Sequence, residues 1–324
     1  MKTYLDLLQL AQDNLFSKKA DLAVKYGEEA QKFRNDDYRL YDILSESYML
    51  IKDFDNAKIV GAKALILKDK LTNKYKSYPY PTSLIKPFSE NRDKNIISFS
   101  LFGDKPKYTF NAIVNAKLAK KIYPYWKCRF YCDDLVPLDI INKLKDLDAE
   151  VIIKKTIKED KPQMLLWRFL VMSDISIYRY LVRDCDSVIN IKESLAVDDW
   201  MKSEKRFHIM RDFYTHTDLI LAGMFGGTTD IFPNIKKMID TFHKIKNPLV
   251  SHQDQLFLRV FVWKTIKEDV LIHDRYFRLD NTIDFPSLPP HQLQLNSEHI
   301  GQNEGKRFFD MIDFDIIKNT NKKE

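Results

Sequence analysis

Glycine is scarce in this chain, at 8 of 324 residues. Neither the glycine loop of P-loop nucleotide hydrolases nor that of dinucleotide-binding dehydrogenases is present, so both classes are set aside. Cysteine is scarcer, with only Cys128, Cys132 and Cys185. Their spacing fits no zinc pattern, and an odd number of thiols without a secretory leader suits a reducing compartment. The first ten residues are amphipathic and carry Lys2 and Asp6, unlike a signal peptide. No apolar run approaches the ~20 residues that span a bilayer. The expected location is therefore cytoplasmic, with peripheral contact at the inner membrane face through basic residues as a further expectation. The net charge of +6 is modest and scattered. It suits an anionic ligand or membrane surface, and it lacks the concentrated basic face that nucleic acid requires.

Two unequal parts are legible. In residues 3–69, Ala23, Gly27 and Ala30 recur 34 residues later as Ala57, Gly61 and Ala64. Small residues at this spacing share one helical face and allow a second helix to pack closely. An apolar-periodic stretch precedes each, at Leu5 to Phe16 and Tyr38 to Ile51. The period resembles tetratricopeptide repeats, although Gly27 and Gly61 stand where that family carries larger residues. Two repeats are too few to stand alone, so residues 1–72 are expected to dock on the larger part of the chain. They serve either as a helical cap or as a recruiting surface for a protein partner or acceptor. Residues 73–94, with Pro79, Pro81 and Pro87, read as a linker, and 316–324 as a polar tail.

From Asn95 the pattern alternates between β-rich runs and helical periodicity. Strands are expected at Asn95–Leu101, Lys127–Tyr131, Glu150–Lys154 and Ile177–Val182. Helices are expected at Tyr108–Ile122, Leu138–Leu147 and Pro162–Asp174. This rhythm predicts an α/β fold over residues 95–315, a Rossmann-like sheet covered by helices. Ligands bind beyond the carboxyl ends of such strands. There lie Leu101 and Phe102, which analogy with nucleotide-binding sheets of this kind sets near a nucleoside base, and Asp133, which the same analogy sets near a ribose.

The strongest local signal is Arg183-Asp184-Cys185-Asp186-Ser187, directly after a strand. Two carboxylates two residues apart at a strand end can converge on one divalent ion, and hard oxygen ligands suit Mn²⁺ or Mg²⁺. Solvated loop carboxylates are the competing account.

The stretch LWRFLVMSDISIYRYLVRDCDSVIN, Leu166 to Asn190, is similar to the helix–strand–DxD passage of GT-A glycosyltransferases, above all the glycogenin-like and lipopolysaccharide galactosyltransferase-like enzymes. The resemblance runs from residue 95 to 277. It implies a GT-A fold (the nucleotide-diphospho-sugar transferase class) and a metal-dependent sugar transfer from a nucleotide sugar, with a UDP-sugar as the expected donor. It also implies a glycan, lipid-linked or other hydroxyl acceptor. Arg168 matches the family's donor-contacting arginine. Leu221-Ala222-Gly223-Met224 is similar to the Asn-Ala-Gly-Val segment beside the sugars, with leucine in place of asparagine, and points to Gly223. Asp254-Gln255 resembles the Asp-Gln that opens a later helix. His273 resembles the late metal-binding histidine, without the Gly and Lys-Pro-Trp that usually come after it. The run AVDDWMKSEKRFHIMRD with LILAGMFGG also looks like bacterial repeat-containing glycosyltransferase-like proteins.

The implied roles are therefore Asp184, Asp186 and His273 on the metal, with Arg168 and Gly223 at the donor. Asp254 would act as base or charge stabiliser. Arg211 would pair with the diphosphate, and Asp212 would hold a sugar hydroxyl or orient Arg211. A structural ion pair for Arg211 and Asp212, and a core histidine for His273, are the plainer alternatives. Gly226 and Gly227 admit either a turn or close ligand approach. Two rival functions remain. One is a haloacid dehalogenase-like phosphohydrolase using Asp184 as nucleophile, against which three strands precede the motif and no later Gly-Asp occurs. The other is a non-catalytic repeat adaptor.

Overall fold

A computed structural model describes residues 2–82, 84–156, 161–245, 252–288 and 299–303. The expected tail at 316–324 lies outside the described residues. The chain opens with four helices: α1 (Tyr4–Phe16), α2 (Ala20–Phe33), α3 (Tyr38–Leu50) and α4 (Phe54–Leu71). Local chemistry sets their starts. Thr3 and Asp6 form a reciprocal capping box on α1, and the carboxylates of Asp37 and Asp53 cap α3 and α4.

The small-residue stripes do what their spacing predicts. Ala23, Ala30, Ala57 and Ala64 are fully buried. A Cβ on Gly27 would sit 2.5 Å from Leu44 of α3, and one on Gly61 would strike the ring of Phe277. The second glycine thus makes room for a residue more than two hundred positions away.

After the connecting segment come β1 (Asn95–Leu101), α5 (Pro106–Ile122), β2 (Lys127–Asp133), α6 (Leu138–Asp146), β3 (Glu150–Lys154) and α7 (Lys161–Leu165). Then come β4 (Arg179–Val182), α8 (Ile191–Lys202), β5 (Phe207–Arg211), β6 (Phe225–Thr228), α9 (Ile235–Ile245), α10 (Gln253–Phe261), α11 (Trp263–Ile266), β7 (Val270–Asp274) and β8 (Thr282–Ile283). The sheet order is β3-β2-β1-β4-β6-β5-β7-β8. β6 runs antiparallel to β4 and β5, and the other pairings are parallel. This is a mixed, mostly parallel α/β sheet of the Rossmann-like kind expected. No helix among the described residues is long and apolar enough to cross a membrane.

Two expectations are corrected. Leu166–Ser173 is 3-10 rather than α-helical. The hydroxyls of β1 take up its backbone groups: Arg168 N donates to Ser100 Oγ at 2.9 Å, and Ser98 Oγ donates to Arg168 O at 2.7 Å. The glycine cluster is neither a turn nor a ligand approach. Gly226 and Gly227 lie in β6, where a Cβ would come within 2.8 Å of Leu181 and 2.5 Å of the Tyr180 hydroxyl. An inner strand crowded by large neighbours on both faces leaves no room for side chains.

Alternation along the strands sorts residues to two faces. Ile97, Phe99, Leu101 and Leu181 pack with α5, α6 and α8. Ile96, Tyr180, Val182, Phe207, Ile209 and Ile272 pack with the 3-10 segment, α9 and α10.

The helical unit docks through buried charge. Lys68 of α4 is 1% exposed. Its ammonium reaches Asp42 at 2.9 Å, Asp218 at 3.2 Å and Thr217 O at 3.0 Å. Trp263 Nε1 donates to Asp69 at 2.6 Å, and Ser45 Oγ to Tyr214 O at 2.6 Å. Burial raises the Asp42 carboxyl, and Lys68 offsets that shift. Breaking a fully buried pair costs about 3–5 kcal/mol, but both acids here are partly exposed. Lys68→Met is expected to cost about 2–3 kcal/mol in urea unfolding, because it strands two carboxylates at the junction. An unchanged midpoint would show that this cluster does not hold the two parts together.

Candidate active site at the carboxyl end of strand β4

The motif Arg183-Asp184-Cys185-Asp186 leaves β4 at the centre of the sheet and is clamped from below. Arg183 Nε donates to Glu193 Oε1 at 2.9 Å, with both side chains buried, and Tyr123 Oη donates to the same oxygen at 2.9 Å. Asn115 of α5 receives the Ile189 amide at 2.9 Å and donates to Ser187 O at 2.9 Å. Cys185 is buried and its thiol is pushed well up by burial. With alternate residues pinned inward, Asp184 and Asp186 project from a fixed loop.

Asp184 meets Arg168. The guanidinium is 1% exposed and donates through Nη1 to Asp184 Oδ1 and through Nη2 to Asp254 Oδ2 at 2.6 Å. One buried cation thus bridges the motif and the start of α10. Arg168 Nε, also buried, has no acceptor among the described residues. Burial raises the Asp254 carboxyl and Arg168 opposes the shift, while the Asp184 charge adds to it. Gln255 N donates to Asp254 Oδ1 at 2.9 Å. The preceding His252 sits at φ +53°, in the left-handed region that histidine occupies more readily than most residues.

Asp186 is three-quarters covered. Its Oδ2 accepts from Asn303 Nδ2 at 2.8 Å and lies 3.3 Å from Lys107 Nζ, at the start of α5. Burial raises its carboxyl, and the nearby Asp184 charge raises it further. Lys107 and Asn303 were not legible as site residues, because both lie far in sequence from the motif and neither belongs to a recognisable pattern.

Gly223 packs directly under Asp184, where a Cβ would overlap its carboxylate. Its lack of a side chain is what lets the Asp184 carboxylate occupy this position. Leu101 is buried in the α5 and α6 face. Phe102 is half-buried beside Trp167 and Tyr131, its ring 6.5 Å from Tyr108. Asp133 is buried and accepts from Gly103 N at 2.9 Å and Leu135 N at 3.2 Å, tying the ends of β1 and β2.

Three expected residues are not brought to this centre. His273 lies on the opposite sheet face, under α8, with Nδ1 2.8 Å from His208 Nε2 and Nε2 3.3 Å from Asp199 Oδ2. Burial lowers the pKa of both histidines. Both ring nitrogens of His273 are engaged, and no group of three or more His, Cys, Asp or Glu placed to hold a metal occurs among the described residues. Arg211 is buried and donates to Asp218 O at 3.1 Å and Leu219 O at 2.6 Å, with Asp274 at 3.4 Å. Asp212 accepts from Lys192 at 2.5 Å and Ile300 N at 2.9 Å. Both are structural anchors for the loop after β5, which is the ion-pair alternative.

Two carboxylates at one loop still suit a small hard cation. Mg²⁺ is commonly held by one or two carboxylates, with phosphate oxygens and waters completing its shell.

No family model matches the chain, and no curated protein matches it. Solved structures are similar over part of it, among them three named proteins. Core-mannan synthase A from Aspergillus fumigatus, in an Mn/GDP form, is 8% identical over 69% of this chain and 88% of its own, with a TM-score of 0.36. The 4-diphosphocytidyl-2C-methyl-D-erythritol synthase of Anaerococcus prevotii is 10% identical over 58% and 92%, with a TM-score of 0.34. An O-GlcNAc transferase mutant from Thermobaculum terrenum is 10% identical over 56% of this chain and 43% of its own, with a TM-score of 0.23.

Gly223→Ala is expected to displace the Asp184 carboxylate. A shift of about 1 Å at a reacting centre costs roughly 100-fold, so any activity that depends on Asp184 should fall by that order while circular dichroism stays unchanged. Wild-type turnover in this variant would show that Asp184 need not hold its present position.

Proposed function

We propose that this chain is a metal-dependent glycosyltransferase of the GT-A type, moving a sugar from a nucleotide sugar, with a UDP-sugar as the favoured donor, to a hydroxyl acceptor. The observation that carries this reading is the shared guanidinium. Arg168 joins Asp184 of the strand-end carboxylate pair to Asp254 at the mouth of α10. In this reading Asp184 serves the cation-and-diphosphate end, and Asp254 the reacting-sugar end.

In this reading Asp184 and Asp186 hold Mn²⁺ or Mg²⁺. The bound ion supplies Lewis-acid stabilisation of the charge that builds on the departing diphosphate. Lys107, 3.3 Å from Asp186, adds positive charge at the same end. Phe102 and Asp133 line the nucleoside side of the strand ends. The acceptor oxygen attacks the anomeric carbon as the bond from that carbon to the diphosphate oxygen breaks. Asp254, raised by burial, either takes the hydroxyl proton or steadies positive charge on the sugar ring. Arg168 keeps Asp254 oriented in both cases. His273 is left out of the ligand set because its ring nitrogens are engaged elsewhere.

The phosphohydrolase reading asks Asp184 to be a free nucleophile, whereas its carboxylate is held by Arg168 and packed on Gly223. The adaptor reading leaves a buried arginine between two acids without a purpose. Asp186→Asn is expected to nearly abolish release of nucleoside diphosphate from a UDP-sugar in Mn²⁺ while keeping the melting temperature of the free protein. Full activity in that variant would overturn the assignment.

A further inference from the structure

At the amino end of β4 lies a cluster of cations that the proposed sugar transfer does not use. Arg179 opens β4 and stands in register with Thr228 at the close of β6, on the end of the sheet remote from the Asp184 motif. The four residues of β4, roughly 13 Å, lie between this end and the motif. Arg179, Thr228, Arg206, Tyr178 and Lys86 line one small cleft between the strands and the connecting segment.

Arg179 is 7% exposed, yet it forms no ion pair among the described residues. Its guanidinium donates to two carbonyls, Tyr178 O at 3.2 Å and Lys86 O at 2.7 Å. Carbonyl dipoles satisfy N–H groups but leave a full buried charge without a counter-ion. Burial pushes the Arg179 pKa down to about 10; Asp230 offsets part of that shift and Arg206 adds to it. Asp230 is the only acid lining the cleft among the described residues, and it is exposed. Arg206 is already engaged by Asp269 at 2.9 Å. Lys86 is exposed, with its ammonium 4.7 Å from the Tyr178 ring. Thr228 is 6% exposed, and its hydroxyl has no hydrogen-bond partner among the described residues. A buried hydroxyl left unmade is costly, and its proton can turn to suit an acceptor.

We propose that this cleft is a small-anion site, in which Arg179 and the Thr228 hydroxyl donate to the anion while Lys86 and Arg206 add positive charge. The free space is about 10 Å³, room for one water-sized atom. It admits a chloride ion or a single oxygen of a phosphate group. Such an anion neutralises a buried cation and satisfies a stranded hydroxyl together. Through the Arg179 bond to Lys86 O, it also ties the connecting segment to the sheet. None of these groups takes part in the proposed sugar transfer, so the site stands or falls separately from it.

The test uses the full chain in EDTA, with gluconate exchanged for chloride or for inorganic phosphate at constant ionic strength. The melting temperature is expected to rise saturably with at least one of the two anions. A response to chloride alone identifies a monatomic occupant, and a response to phosphate identifies one oxygen of an oxyanion. Thr228→Val should raise the half-saturating concentration about threefold to tenfold, and Arg179→Gln should raise it further. A hydroxyl with a purely structural role would leave the anion response untouched in Thr228→Val. If Arg179→Gln does not fold, Thr228→Val carries the test. Lys107→Gln, at the motif end, is expected to keep the wild-type response. No saturable response to either anion overturns the site. The same half-saturation in Thr228→Val as in wild type, or a response lost in Lys107→Gln, also overturns it.

Discussion

The buried guanidinium of Arg168 is the constraint around which the rest of the centre is arranged. An arginine cannot lose its proton in a protein, so burial leaves it no choice but partners. It has two, Asp184 and Asp254, which lie 70 residues apart in the chain. Their mutual arrangement is set by one planar fork, because each carboxylate takes a different nitrogen. The backbone of Arg168 is fixed in turn by two serine hydroxyls of β1. Strand β1, the 3-10 segment, the β4 loop and α10 are therefore coupled through a single side chain. Asp186, one step outward, stays within reach of Lys107 and the chain segment around Asn303.

The same logic, an expensive buried cation forcing distant acids together, recurs at the junction. Lys68 binds α3 to the loop after β5 through Asp42 and Asp218. That loop carries Tyr214 and the carbonyls that anchor Arg211. The helices are thereby held against the carboxyl edge of the sheet, where the proposed chemistry occurs. A unit tied in this way is fixed on the sheet domain, as a swinging adaptor would not be.

Much of this was legible in the chain. The first three strands and the central β4 announced themselves by β-rich apolar runs, and the helices α5 and α6 by their periodicity. Asp184, Asp186, Arg168 and Asp254 were singled out by motif and resemblance, and the structure brings three of them into direct contact. What was not legible depended on tertiary neighbours. Strand β6 reads Phe-Gly-Gly-Thr, which has no alternation to detect, because Leu181, Tyr180 and Phe207 fill the space its side chains would need. His273 was singled out by its resemblance to a late metal-binding histidine, but strand parity turns it to the α8 face, against His208 and Asp199. Arg211 and Asp212 carried the right charges, yet loop carbonyls, Lys192 and Ile300 N already use them. Lys107 and Asn303 are separated from Asp186 by 79 and 117 residues, and only folding places them beside it.

The central claim is that the carboxylates gathered at the end of β4 receive a cation together with a nucleoside diphosphate. Titration of Mn²⁺ monitored by electron paramagnetic resonance tests this directly, since the free aquo ion gives a signal that vanishes on binding. With UDP present, wild-type protein should remove one equivalent of free Mn²⁺ signal, and Asp184→Asn should leave it largely intact. Equal Mn²⁺ uptake by the two proteins, or none by the wild type with UDP, would contradict the account.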